Sequence, residues 1–149
     1  MNILKSFEIF IKGSDNIHFT KKEENGNVST ISFSYLNKNY VLFYEPNDPE
    51  YYRLMLPHIG KVDKNNPNYM SIIEELISLT TKYKVGKAIL LDDKSVWLSY
   101  EQTILDIDGE YGSLFSRSIN VLSKMLDDYR NFITTTNEPT NSKQNEHNQ

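Results

Sequence analysis

The stretch VSTISFSYLNKNYVLFYEPNDPEYYRLML, residues 28–56, decides how the chain folds. Ile31, Phe33 and Tyr35 are apolar and alternate with Ser32 and Ser34, the period of two of a strand with one buried face. A two-residue turn at Asn37-Lys38 sets Tyr35 opposite Tyr40, Phe33 opposite Leu42 and Ile31 opposite Tyr44, all on one face. Asn accepts the positive φ such a turn needs and Lys38 accepts it less readily, which leaves the turn type open. The second strand stops at Glu45-Pro46-Asn47. Asp48-Pro49-Glu50 then reads as a helix start, with Asp48 as the cap, Pro49 in the first turn and Glu50 at the positive end of the dipole. The segment thus predicts a hairpin running into a short helix that carries Tyr51–Leu56.

Working outward, residues 3–12 place Ile3, Leu4, Phe7, Phe10 and Ile11 at helical spacing, with Gly13 as a stop. Ile17–Thr20 alternates as a first strand before Asn25-Gly26. A three-residue loop with Gly26 in the left-handed conformation sets Phe19 beside Ile31, whereas a two-residue turn sets Thr20 there; burial favours the first. Asn66-Pro67 opens a helix to about Tyr83 with Met70, Ile73, Leu76 and Ile77 on its apolar side. Lys84–Leu91 and Val96–Tyr100 form a hairpin whose turn at Asp93-Lys94 pairs Leu91 with Val96 and Ile89 with Leu98. After a capping region at Asp106–Gly109, a last helix runs from about Glu110 to Ile133 on the stripe Phe115, Ile119, Leu122, Leu126, Tyr129 and Ile133.

These elements predict one α+β domain over residues 1–133, with helices on a largely antiparallel five-stranded sheet in the order α-βββ-α-α-ββ-α. Residues 134–149 carry no apolar side chain past Ile133 and read as a disordered polar tail.

A chain of 149 residues with net charge -4 and pI about 5.4 is no general electrostatic partner for nucleic acid. Lys21-Lys22 and Lys82–Lys87 are short basic stretches diluted by acids or apolar residues. No apolar run approaches the ~20 residues that span a bilayer, so no membrane role is expected. With no cysteine and no secretory leader, a cytoplasmic location is expected.

The chemistry-bearing residues do not assemble into a catalytic pattern. His18, His58 and His147 are far apart, and no carboxylate cluster surrounds any of them. Asp106–Glu110 faintly suggests a calcium loop, but its glycine comes two positions early and Arg117 stands where a bidentate Glu is required. Glu74-Glu75, Asp92-Asp93 and Asp127-Asp128 are neighbours that do not converge on one substrate. No phosphate loop, dinucleotide fingerprint or nucleophile elbow is present. The expectation is a non-enzyme without metal or cofactor.

The informative feature is surplus apolar surface. Tyr51, Tyr52, Leu54, Met55 and Leu56 exceed what a short helix buries on one sheet, and the last helix has a wide stripe as well. The residues facing away from the main stripes are Tyr51 or Tyr52 on the first helix and Val121, Met125 and Phe132 on the last. These five are the candidate partner-binding residues.

YVLFYEPNDPEYYRLMLPHI (residues 40–59) and EELISLTTKYKVGKAIL (residues 74–90), with a long amphipathic helix after Gly109, resemble the YbjN-like proteins. That group is named for bacterial sensory transduction regulation and has the type III secretion chaperone-like fold. The resemblance spans about Phe19 to Ile133, and D-P-E-Y-Y-R-L is its most specific part. It implies a bacterial, cytoplasmic protein-binding module without catalytic residues, and a homodimer, as is frequent among the secretion chaperones. The leading expectation is therefore a chaperone-like or regulatory adaptor that binds a segment of another protein. The alternatives are a small-molecule-sensing regulatory domain and an immunity-type protein that neutralises a toxin.

Overall fold

The computed structural model describes residues 2–104 and 111–137. Helix α1 (Ile3–Lys12) starts at Asn2, whose side chain accepts a 2.8 Å hydrogen bond from the Lys5 amide, and stops at Gly13. Strands β1 (His18–Asn25), β2 (Val28–Tyr35), β3 (Lys38–Tyr44) and β4 (Tyr51–Lys61) follow, then α2 (Tyr69–Lys82), β5 (Gly86–Leu90), β6 (Ser95–Thr103) and α3 (Gly112–Asn137). The class is α+β, as expected, but the sheet has six strands in the order β1-β2-β3-β4-β6-β5, every pair antiparallel.

The additional strand is β4, the segment read as a capped helix. Asp48 sits in the β3–β4 turn, where its amide donates to Glu45 O (2.9 Å) and its carbonyl accepts from the Tyr51 amide (3.1 Å). Tyr51 onward then extends between β3 and β6. Tyr52, Leu54 and Leu56 point into the core while Tyr51, Arg53 and Met55 point the other way. Because both sides carry apolar residues, the period of two is masked. Aromatic residues favour this pleated environment. Pro57 lies beyond the stretch paired with β3, and an irregularity between Leu56 and Gly60, with His58 at φ 50, lets β4 continue through it.

Turn geometry corrects three registers. The β2–β3 turn is Leu36-Asn37, with φ of 50 and 59, two consecutive left-handed residues as in a type I′ turn. Tyr35 therefore pairs with Lys38, Phe33 with Tyr40 and Ile31 with Leu42. A shift of two residues keeps every side chain on its expected face. The β1–β2 connection is a two-residue one, with Asn25 opposite Val28 and Gly26 at φ 60. Phe19 still reaches the core, opposite Phe33, because a bulge between Phe19 and Lys21 changes the register there. In the last hairpin Leu90 pairs with Val96 and Ala88 with Leu98, one residue off the expected register. Lys94 at φ 70 donates its amide to Leu91 O (2.9 Å), which lengthens the loop and turns Ile89 and Trp97 to the face opposite Val96 and Leu98.

The helices pack on one side of the sheet. Phe7 of α1 meets Phe115 edge-on at 4.8 Å and Phe33 at 5.6 Å. Helix α3 is tied down by Lys38, whose ammonium reaches Ser123 Oγ (2.9 Å) and Asp127 Oδ1 (3.0 Å). Its buried face includes Phe115, Ile119, Leu122, Leu126 and Tyr129, the expected stripe. The helix runs to Asn137, past its expected end at Ile133, so the first part of the predicted tail is helical. The rest of that tail and the predicted cap at Asp106–Gly109 lie outside the described residues. Helix α2 buries Ile72, Leu76 and Leu79, whereas Met70 (64%) and Ile77 (62%) are exposed, so its core stripe is rotated from the expected one.

Candidate functional site

The five candidate residues do not come together. Tyr52 is a core residue whose hydroxyl lies 2.7 Å from Ser118 Oγ. Ser118 gives its own proton to Phe115 O at 2.9 Å, so Tyr52 is the donor to Ser118. Burial raises the Tyr52 pKa, only partly countered by that bond. Met125 is fully buried, and Val121 and Phe132 are half-buried against the core. A Cβ on Gly86 would stand 2.4 Å from Met125 Sδ and 3.2 Å from Val121 Cγ1, so the bare backbone of β5 receives these two side chains. The surplus of α3 is thus absorbed inside the fold: Val121, Met125 and Phe132, expected to face away from the core, pack in or against it, and of Tyr51 or Tyr52 it is Tyr52 that is interior. Only Tyr51 lies on the opposite side of the sheet.

That side carries the surface that sequence reasoning missed. The antiparallel registers align Lys21, Ser32, Val41, Met55, Ser99 and Lys87 in one row across all six strands. The next row is Glu23, Thr30, Phe43, Arg53 and Glu101. Val41, Phe43, Tyr51, Ile89 and Trp97 are half-buried there, and none of them belongs to the core or packs against it. Among the described residues, Met55 is the one buried apolar side chain outside the core. Its neighbours on the sheet cover it, since no helix does.

An ion cluster crosses the apolar patch. Arg53 Nε lies 3.0 Å from Glu101 Oε1, and the Lys87 ammonium pairs with Glu101 Oε2. The Arg53 guanidinium also stands over the Tyr51 ring, 5.3 Å from its centre. Burial works against the Glu101 charge, but hydrogen bonds from Lys87 and Tyr51 outweigh it and hold the carboxyl below its usual range. At one end of the face His58 meets Trp97 edge-on at 4.8 Å, and Trp97 Nε1 donates to Ser95 Oγ at 3.1 Å.

Other concavities have less to offer. A groove of about 580 Å³ between the start of α2 and the β5–β6 turn is lined by Tyr69, Leu90 and Leu91, with the exposed ion pair Lys94–Asp63 (2.9 Å) at its edge. Among the described residues no three His, Asp or Glu side chains gather as a metal-binding set, and no helix is long and apolar enough to cross a membrane.

No family model matches the chain, and no curated protein matches it. Solved structures do. An uncharacterized protein from Methanothermobacter thermautotrophicus superposes with a TM-score of 0.58 at 7% identity, over 90% of this chain and 96% of its own. YbjN from E. coli superposes with a TM-score of 0.43 at 12% identity, over 83% of this chain and 87% of its own. The first of these likenesses is one of fold; the second is too loose an overlay to argue from.

Proposed function

We propose that this chain is a non-enzymatic protein-binding module, a chaperone-like or regulatory adaptor that holds a segment of a partner protein on the helix-free face of its sheet. The observation that supports the reading is the patch of Val41, Phe43, Ile89 and Trp97 around the buried Met55, on a face that no helix of the described residues covers. A contiguous apolar patch outside the core costs solubility unless something binds it. The stretch that resembles the YbjN-like proteins, residues 40–59, supplies most of that patch, with Tyr51 and Arg53 beside it. A chaperone-like role is what the resemblance implies, and the lack of cysteine fits a reducing compartment.

The test compares Val41→Thr/Phe43→Thr with wild type and with Ile77→Thr, a control on the exposed side of α2. Thr keeps strand propensity while removing apolar area. Wild type and the control should retain the same partner in affinity capture, and the double variant should lose it by at least about tenfold, ~1.4 kcal/mol, with an unchanged circular dichroism spectrum. Light scattering of the same proteins shows whether the partner is a second copy. Retention of the partner by the folded double variant would rule this face out.

A further inference from the structure

At the centre of the helix-free face the more exposed charges are cationic. Across β3, β4, β6 and β5 the charged residues in the aligned rows are Arg53, Lys87 and Glu101, two cations to one carboxylate. They are also layered. The Glu101 side chain is 12% exposed, while Arg53 is 34% and Lys87 45% exposed. One Glu101 oxygen stands by Arg53 and the other by Lys87, and the two cations are the more exposed members of the cluster. Arg53 Nε stands 3.0 Å from Glu101, the Arg53 side chain also interacts with Tyr51 and with the Glu45 charge, and Lys87 has further ammonium protons. This cationic point stands among Val41, Phe43, Met55 and Tyr51, in a chain whose formal net charge is -4.

We infer that the partner segment is an acidic amphipathic one, which sets Asp or Glu side chains against Arg53 and Lys87 and apolar side chains against Val41 and Phe43. This rests on the reading of the helix-free face as the binding surface and adds the chemistry of its occupant. An incoming carboxylate would complete an alternating cluster with Glu101, Arg53 and Lys87. Apolar contacts around it exclude water and strengthen the charge-assisted bonds. A basic segment would bring like charge to two cations inside a desolvating contact, which is disfavoured. Residues 138–149 contain no Val, Ile, Leu, Met, Phe, Tyr or Trp.

The probe is a displayed library of random peptides, selected in parallel on the wild-type protein, on Arg53→Gln/Lys87→Gln and on Val41→Thr/Phe43→Thr. Thermal melts confirm that each variant is folded. Wild type should enrich peptides that combine Asp or Glu with apolar residues, binding at least about tenfold more tightly than their Lys-substituted twins, with affinity that falls as salt rises. The Gln pair should still enrich apolar peptides but without the acidic bias. The Thr pair should enrich none of them. Peptides that need Val41 and Phe43 but show no acidic preference would overturn the inference and leave the binding face standing. Peptides that bind the Thr pair as well as wild type would overturn both.

Discussion

Replacing Gly86 by Ala tests whether Met125 is core. The new methyl would stand 2.4 Å from Met125 Sδ and 3.2 Å from Val121 Cγ1. Carbon and larger atoms in contact sit at about 3.5–4.0 Å, so the sulfur must move by roughly an ångström or more. Overpacking of this kind costs about 1–3 kcal/mol. The flexible thioether can yield part of that, and Gly86 is not at positive φ, so Ala recovers about 0.4–1 kcal/mol from the unfolded chain. The net expectation is a loss of about 1–2 kcal/mol in urea unfolding. Met125→Ala alone should cost about 2–5 kcal/mol, because it empties a fully buried site. In the double variant the methyl introduced at position 86 enters that space. Gly86→Ala should then be neutral or stabilising, a coupling of at least about 1 kcal/mol between the two positions. Additive effects, or a Met125→Ala variant as stable as wild type, would refute the packing of α3 on β5.

The rotated stripe of α2 and the buried tyrosines give two further expectations. Ile77→Gln should change stability by no more than about 0.5 kcal/mol, because the side chain is exposed, whereas Leu76→Ala should cost about 2–5 kcal/mol; paired urea melts decide it. Burial pushes Tyr40 from its ordinary 10.0 up to about 12. Its neutral form is therefore fully compatible with folding below about pH 10, and stability falls as pH rises from there toward 12, by a few kcal/mol at most. Tyr40→Phe should make this alkaline limb shallower in urea midpoints measured from about pH 8 to 11, with buried Tyr52 supplying part of what remains, and an unchanged limb would show that Tyr40 titrates freely.

Much of the fold was legible because local signals agreed with global ones. The Phe7 and Ile11 stripe and Gly13 define α1 without tertiary help. Ile31 and Phe33 alternate against serines, and their face survives the wrong turn because the shift is even. The misreading of residues 51–56 has a specific cause. A cap signal at Asp48-Pro49 and an apolar run with no visible alternation both point to a helix, and what overrides them is pairing on both edges by β3 and β6. The same run then concealed the candidate site. The apolar surplus was real, but it belongs to the two faces of a strand, so Tyr52 is interior and Tyr51 is not. On α3 the surplus is taken up by a gap at Gly86, which lies far upstream of Met125 in sequence and leaves no mark in the helix itself. The row of Val41, Met55, Ser99 and Lys87 draws on four strands and becomes visible only when the registers are known.

The chain's single tryptophan, Trp97, is half-buried on the helix-free face beside Ile89 and His58, and it reports on that surface without a label. The most direct measurement is acrylamide quenching of Trp97 fluorescence with and without a saturating selected peptide. A partner seated on the face should shift the emission to the blue and reduce the quenching constant by at least about half, as occlusion of a partly solvated indole requires. Equal quenching in the free and the peptide-saturated protein would place the partner elsewhere and contradict the assignment of this face.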